Sequence, residues 1–142
     1  MMAPPRILIA EDDDELRQVL QEYLELSGYQ VIAVDDGLEL ADYLGLANDK
    51  ASPVVVPDLI VADLSMPGRS SLEVLEQLGP VTLCPFILIS GYADDEIRRR
   101  AAKLGVTMVL DKPVDPRVLS SVVEALVARG ATTGHSGPTH TS

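Results

Sequence analysis

Four short stretches of this chain place chemically capable residues directly after apolar runs. Ile7-Leu8-Ile9-Ala10 runs into Glu11, Asp12 and Asp13, and Leu59-Ile60-Val61-Ala62 stops on Asp63. Phe86-Ile87-Leu88-Ile89 ends in Ser90, and Met108-Val109-Leu110 leads into Asp111-Lys112-Pro113. Gathered carboxylates repel one another and resist desolvation unless a cation sits among them. An all-oxygen set of this kind suits a hard divalent ion such as Mg²⁺ that keeps some of its waters. Lys112 supplies a point positive charge for an arriving anion, and Ser90 a hydroxyl donor. A carboxylate flanked by such an ion, an ammonium and a hydroxyl can attack phosphorus and carry the resulting acyl phosphate.

Those residues act together only if the four runs are parallel strands of one sheet. Each run is short, apolar without alternation and closed by a polar or turn-forming residue, the pattern of a strand buried on both faces. Between them the period changes to three and four. Leu16, Val19, Leu20, Tyr23 and Leu24 share a stripe that starts at Asp13 or Asp14 and stops at Ser27-Gly28, an amphipathic helix closed by glycine. Tyr29 to Val34 alternates as a further strand, and Asp35-Asp36-Gly37 opens a helix through Leu38, Leu40, Ala41 and Leu44. Residues 48–57 read as a loop. Ser70, with Glu73 in capping-box position, starts a short helix through Leu72, Val74, Leu75 and Leu78 that ends at Gly79-Pro80. Asp94 starts another through Ile97, Ala101 and Leu104, closed by Gly105. Pro116, after Asp115, opens the last, with Val118, Leu119, Val122, Val123 and Leu126 on one stripe. Alternating units of this spacing predict an α/β fold: a five-stranded parallel sheet with right-handed crossovers and helices on both faces, whose carboxyl edge gathers the strand ends.

At 142 residues, 46% hydrophobic and 23% charged, the chain reads as one domain of ordinary composition. No apolar run approaches the roughly 20 residues of a membrane span. Met1-Met2-Ala3-Pro4-Pro5 lacks the apolar core of a signal peptide, so the expected location is cytoplasmic. The single cysteine, Cys84, excludes an internal disulfide and reads as a small half-buried residue ahead of a strand. A formal net charge of −11 argues against direct contact with nucleic acid, since phosphate binding takes a basic face. Residues 1–5 read as a leader, 6–128 as the folded domain and 129–142 as a flexible tail or linker. From Ala131 to Ser142 no periodicity remains, and His135 and His140 read as solvated.

Taken together, Ile7-Leu8-Ile9-Ala10-Glu11-Asp12-Asp13, Asp63-Leu64-Ser65-Met66-Pro67-Gly68, Ile89-Ser90-Gly91-Tyr92 and Asp111-Lys112-Pro113 resemble the signature segments of a response-regulator receiver domain. They stand in that family's order, over about residues 6 to 128. The resemblance implies a (βα)5 flavodoxin-like fold and a regulator, not an enzyme, that assists only its own phosphorylation and dephosphorylation. Its phosphoryl group would come from a sensor histidine kinase or a histidine phosphotransfer protein. On this resemblance Asp63 is the phospho-acceptor. Glu11 and Asp12 are the acidic pair, with Asp12 the direct Mg²⁺ ligand, and Asp63 and the backbone carbonyl of Ser65 complete the protein's share of the metal shell. Asp13 serves the helix start. Ser90 turns inward to meet the phosphoryl group, and Lys112, ahead of a cis Pro113, pairs with it. The signal passes to a downstream target protein or to an output domain of a longer chain.

Some positions depart from the family pattern. Val109 stands where an aromatic residue usually swings inward as the serine or threonine moves. Ser71 stands where glycine is common, and Gly91, which leaves the site more open, where alanine is usual. Tyr92 reads as an exposed loop residue. Val109 is the one feature favouring a pseudo-receiver, the same fold used only as an interaction module. A haloacid-dehalogenase-like phosphohydrolase shares the Asp, hydroxyl, Lys and acidic pair, but it needs a second Asp two residues after the nucleophile, where this chain has Ser65. Its acidic pair also follows the lysine. A nucleotide-binding sheet wants a glycine-rich first turn, and Glu11 to Asp14 would repel its phosphates. Receivers commonly meet targets through their fourth helix, fifth strand and fifth helix. There Asp94-Asp95-Glu96 and Arg98-Arg99-Arg100 read as a solvated helix face.

Overall fold

Ile7–Ala10, Leu59–Ala62 and Phe86–Ile89 are buried at every position, which a strand achieves only when both faces of its sheet are covered. In the computed structural model, which describes residues 3–49, 51, 56–79 and 84–136, these runs form the centre of one sheet. The strands are β1 (Arg6–Ala10), β2 (Gln30–Val34), β3 (Leu59–Asp63), β4 (Phe86–Ser90) and β5 (Met108–Asp111). All pairings are parallel, in the order β2-β1-β3-β4-β5. The helices between and after them are α1 (Asp14–Leu26), α2 (Gly37–Asn48), α3 (Ser71–Leu78), α4 (Asp95–Lys103) and α5 (Pro116–Ser136).

Strand residues divide between the two faces by parity, since successive side chains point oppositely. Leu8, Ala10, Ile60, Ala62, Phe86 and Leu88 pack with Leu40 and Leu44 of α2, Leu72, Val74 and Leu75 of α3, and Ala101 of α4. Ile7, Ile9, Leu59, Val61, Ile87 and Ile89 pack with Leu20 and Leu24 of α1 and with Leu119, Val123 and Leu126 of α5. Each large side chain taken from water contributes about 1.5–3 kcal/mol. The two layers clamp the central strands and so fix where their carboxyl ends stand. Cys84, half-buried ahead of β4, has its thiol pushed up to about 12 by burial.

Helix starts follow their sequence signals. Asp13 caps α1 by accepting the Leu16 N–H at 3.1 Å, Asp36 caps α2 through the Glu39 N–H at 2.8 Å, and Asp94 caps α4 through the Ile97 N–H at 2.9 Å. Ser70 and Glu73 form the reciprocal capping box of α3. The start of α2 also seats the β3–α3 loop. Gly37 donates its N–H to the Pro67 carbonyl at 3.1 Å, and a Cβ on Gly37 would fall 2.2 Å from the Arg69 carbonyl oxygen. Only glycine fits there.

The helix α5 runs through Ser136, into the segment read as a tail. Those last turns lack an apolar stripe, but a helix already nucleated needs only one further hydrogen bond per residue. In the sequence the first breaker pair is Gly137-Pro138. Residues 137–142 with His140, residues 52–55 of the expected loop, Lys50, Pro80 and the first two residues of the leader lie outside the described residues. No described helix is long and apolar enough to cross a membrane.

Candidate functional site

The chain leaves β1 for β2 on one side and returns to β3 on the other. Between the carboxyl ends of β1 and β3 no connection therefore crosses, and a crevice opens at that switch point. Glu11 and Asp12 directly follow β1, Asp63 is the last residue of β3, Ser90 the last of β4, and Lys112 follows β5. One carboxylate oxygen each from Glu11, Asp12 and Asp63 lies within 4.8 Å of the others. Asp12, Asp63, Ser65, Ser90, Tyr92 and Lys112 share the walls of one open cleft of about 540 Å³.

Burial sets the electrostatics of the crevice. Asp63 is 4% exposed and Glu11 1%, whereas Asp12 is exposed. The Lys112 ammonium donates to Asp63 Oδ2 at 2.7 Å and stands 3.5 Å from Glu11 Oε1, the far limit of hydrogen-bond reach. Asp63 Oδ1 accepts the Ser65 N–H at 3.2 Å, and Glu11 Oε2 accepts the Asp13 N–H at 3.1 Å. Among the described residues Glu11 Oε1 has no hydrogen bond, although it is buried. Burial pushes the Glu11 carboxyl up to about 7. The Asp13 N–H works against that rise, and the neighbouring Asp63 adds to it. For Lys112, burial opposes the charge, but the hydrogen bond and charge of Asp63, with Glu11 behind it, hold its pKa above the ordinary value. Three carboxylates against one ammonium leave an excess of two negative charges, the deficit a divalent cation fills.

The donor set fits Mg²⁺. Octahedral ligands about 2.1 Å from a metal lie about 3–4 Å apart, which oxygens within 4.8 Å of one another can reach by small rotations. The orphaned Glu11 Oε1 is an unspent acceptor in the same place.

Other residues singled out from sequence stand as follows. Asp13 caps α1, the use expected of it. Ser90 is buried, and its hydroxyl closes a turn of its own loop by donating to the Tyr92 carbonyl at 2.7 Å and accepting the Tyr92 N–H at 3.0 Å. Tyr92 itself is 74% exposed, as expected of a loop residue. Val109 is half-buried against the α2–α3–α4 layer, paired in register with Leu88. The Lys112–Pro113 bond is cis. On α4, Arg98 pairs with Asp111 at 3.3 Å and Arg100 with Glu76 at 2.9 Å, so part of that charge run is engaged in surface pairs.

Two supporting contacts carry no sequence signature. Arg17 reaches back from α1 to donate to the Glu11 carbonyl at 2.8 Å while pairing with Asp14 at 2.6 Å. Ser71, fully buried at the first position of α3, donates its hydroxyl to the Asp63 carbonyl. A long cation one turn into the first helix and a second serine beside the capping serine are the only hints the sequence offers. A further acidic group, Asp35, Asp36 and Glu39, also brings its oxygens within 4.8 Å. Two of its oxygens serve in starting α2: Asp36 accepts the Glu39 N–H, and Glu39 Oε1 accepts the Asp35 N–H at 2.9 Å.

Comparison with known proteins agrees with this geometry. Residues 7–124 match the response regulator receiver domain family. The C4-dicarboxylate transport transcriptional regulatory protein DctD of Pseudomonas aeruginosa is 34% identical over 129 residues, 89% of this chain and 26% of that protein. The transcriptional regulatory protein PdtaR of Mycobacterium tuberculosis is 28% identical over 127 residues, 89% of this chain and 58% of that protein. The chain thus spans less than two thirds of the length of these relatives. Among solved structures, the signal receiver domain of a signal transduction histidine kinase from Syntrophus aciditrophicus superposes with a TM-score of 0.72 at 28% identity, over 97% of each chain. With the match spanning most of the sequence, this chain belongs to the response regulator receiver domains of two-component signalling.

Proposed function

We propose that this receiver is phosphorylated on Asp63 and that phosphorylation changes its affinity for a protein partner. The observation that carries the reading is a nearly buried carboxylate held on the Lys112 ammonium beside Glu11 Oε1, a buried oxygen with no hydrogen bond among the described residues. An Asp63 oxygen attacks phosphorus in line with the P–N bond of a phosphohistidine on a sensor kinase or phosphotransfer protein. That bond breaks, its electron pair leaves with the imidazole, which takes a proton from solvent, and a mixed anhydride remains on Asp63. Lys112 stays against the reacting carboxylate and offsets the charge of the incoming phosphoryl oxygens. Glu11, Asp12, Asp63 and the Ser65 carbonyl would hold Mg²⁺, which supplies charge neutralisation and orientation at those oxygens. To donate to the phosphoryl group, the Ser90 hydroxyl gives up its bond to the Tyr92 carbonyl, which links the β4–α4 loop to the chemistry. The response is then a population shift of that loop and α4, read by a target protein or by an output domain of a longer chain, in the cytoplasm.

Intact-mass spectrometry after acetyl phosphate treatment, with and without Mg²⁺, tests this reading. A single Mg²⁺-dependent phosphoryl adduct, absent from Asp63→Asn, is the expected result. No adduct under any condition favours the pseudo-receiver. The commitment of the Ser90 hydroxyl to Tyr92 and the aliphatic Val109 are the observations on that side.

A further inference from the structure

β1 pairs with β3 only as far as Ala10 with Ala62, so Asp63 lies one residue past that ladder. Leu64 donates its N–H toward β4, to the Ile89 carbonyl at 2.7 Å. In a planar trans peptide the Asp63 carbonyl therefore points the opposite way, toward the side where pairing has ended. A buried carbonyl there needs a donor. Ser71 supplies it: its hydroxyl donates to the Asp63 carbonyl, and its N–H donates to the Leu64 carbonyl at 3.0 Å. One fully buried residue thus holds both peptides between Asp63 and Ser65. The loop beyond them has little slack, because the Pro67 and Arg69 carbonyls are seated on Gly37. The Ser65 N–H, oriented by the second of those peptides, bonds Asp63 Oδ1.

On the reading of Asp63 as phosphoryl acceptor, we propose that Ser71 is a positioning residue for the transfer: its hydroxyl fixes the Asp63–Leu64 peptide and with it the direction of the Asp63 carboxylate. Ser71 acts through the backbone and touches neither the phosphoryl group nor a metal. It is an outer-shell partner of the kind whose loss costs roughly tenfold or more in activity or metal affinity.

The test uses the whole chain and compares wild type with S71A, and with L126A, which opens the core under α5 on the opposite face from α3. In S71A the Asp63 carbonyl ¹³C resonance moves upfield as its hydrogen bond is lost, and the rate of adduct formation from acetyl phosphate falls roughly tenfold. L126A keeps both the resonance and the rate at temperatures well below its melting point. S71C, which keeps the size of the side chain with a far weaker donor, gives the same direction of shift and slowing and stands in if S71A does not fold. A wild-type rate in the variant lacking the hydroxyl overturns the proposal, as does an equal slowing in L126A. If wild type itself takes no phosphoryl group, the reading of Asp63 fails and the role of Ser71 falls with it. A phosphorylated wild type with an equally fast S71A sinks only the role of Ser71.

Discussion

Glu11, Asp12 and Asp63 are brought together from two strands, whereas Asp35, Asp36 and Glu39 come from a single turn, and both sets hold their oxygens within 4.8 Å. In the local set two oxygens, Asp36 Oδ1 and Glu39 Oε1, accept backbone N–H groups at the start of α2, and Asp35 and Glu39 are exposed to water. Those carboxylates complete a helix terminus and favour its dipole. In the crevice set two oxygens do the same, Glu11 Oε2 and Asp63 Oδ1, but Glu11 and Asp63 are buried. There one ammonium lies 2.7 Å from Asp63 Oδ2 and 3.5 Å from Glu11 Oε1, an oxygen with no hydrogen bond among the described residues. Closeness of acidic groups is common to both. Burial and a shared ammonium distinguish the crevice set.

The sharpest break between the two sets is chemical. Asp63→Asn abolishes the phosphoryl adduct, while Asp36→Asn leaves it at the wild-type level, both read by intact mass. The next largest difference is in stability against pH. In EDTA, Glu11 holds its proton in the fold up to about 7, against an ordinary value of 4.5 in the unfolded chain. Below 4.5 its protonated burial is fully tolerated, and as pH rises through 7 that tolerance is lost, so metal-free stability falls across this window by at most about 3 kcal/mol. Glu11→Gln flattens the slope in urea titrations and exceeds wild type at pH 8, and saturating Mg²⁺ restores the wild-type advantage. Glu39→Gln leaves the slope in place. Smaller again, Asp36→Ala removes the α2 cap and costs about 1 kcal/mol at any pH above the carboxylate range, with Mg²⁺ affinity unchanged. Glu39→Gln, which keeps an acceptor for the Asp35 N–H, costs a few tenths of a kcal/mol by the same unfolding measurement.

Much of the fold was legible because the central strands have no polar face. An unbroken Leu-Ile-Val-Ala run admits few placements, and each such run ended on a residue of the crevice. Which alternate residues meet α1 and α5 and which meet the other helices depends on sheet order, which no single run encodes. The last turns of α5 were illegible because their composition is aperiodic and helix propagation carried them. In the crevice, Glu11, Asp12, Asp63 and Lys112 were readable from residue type and place at strand ends. The Ser90 hydroxyl was not, since a single χ1 rotation decides whether it faces the cleft or the Tyr92 backbone. Ser70 and Ser71 are adjacent and identical in type, and only the backbone at the start of α3 makes one a cap and sends the other back to the Asp63 carbonyl.

The sequence separation of 49 between Asp63 and its ammonium partner has a consequence for how the chain comes into being. At a ribosomal pace of about 5–20 residues per second, β3 is finished several seconds before residue 112 has been joined. During that interval the Lys112 ammonium that pairs with Asp63 is not yet part of the chain. The charge-compensated crevice therefore closes only when β5 docks beside β4. A chain interrupted before that point lacks the ammonium that holds the Asp63 carboxylate.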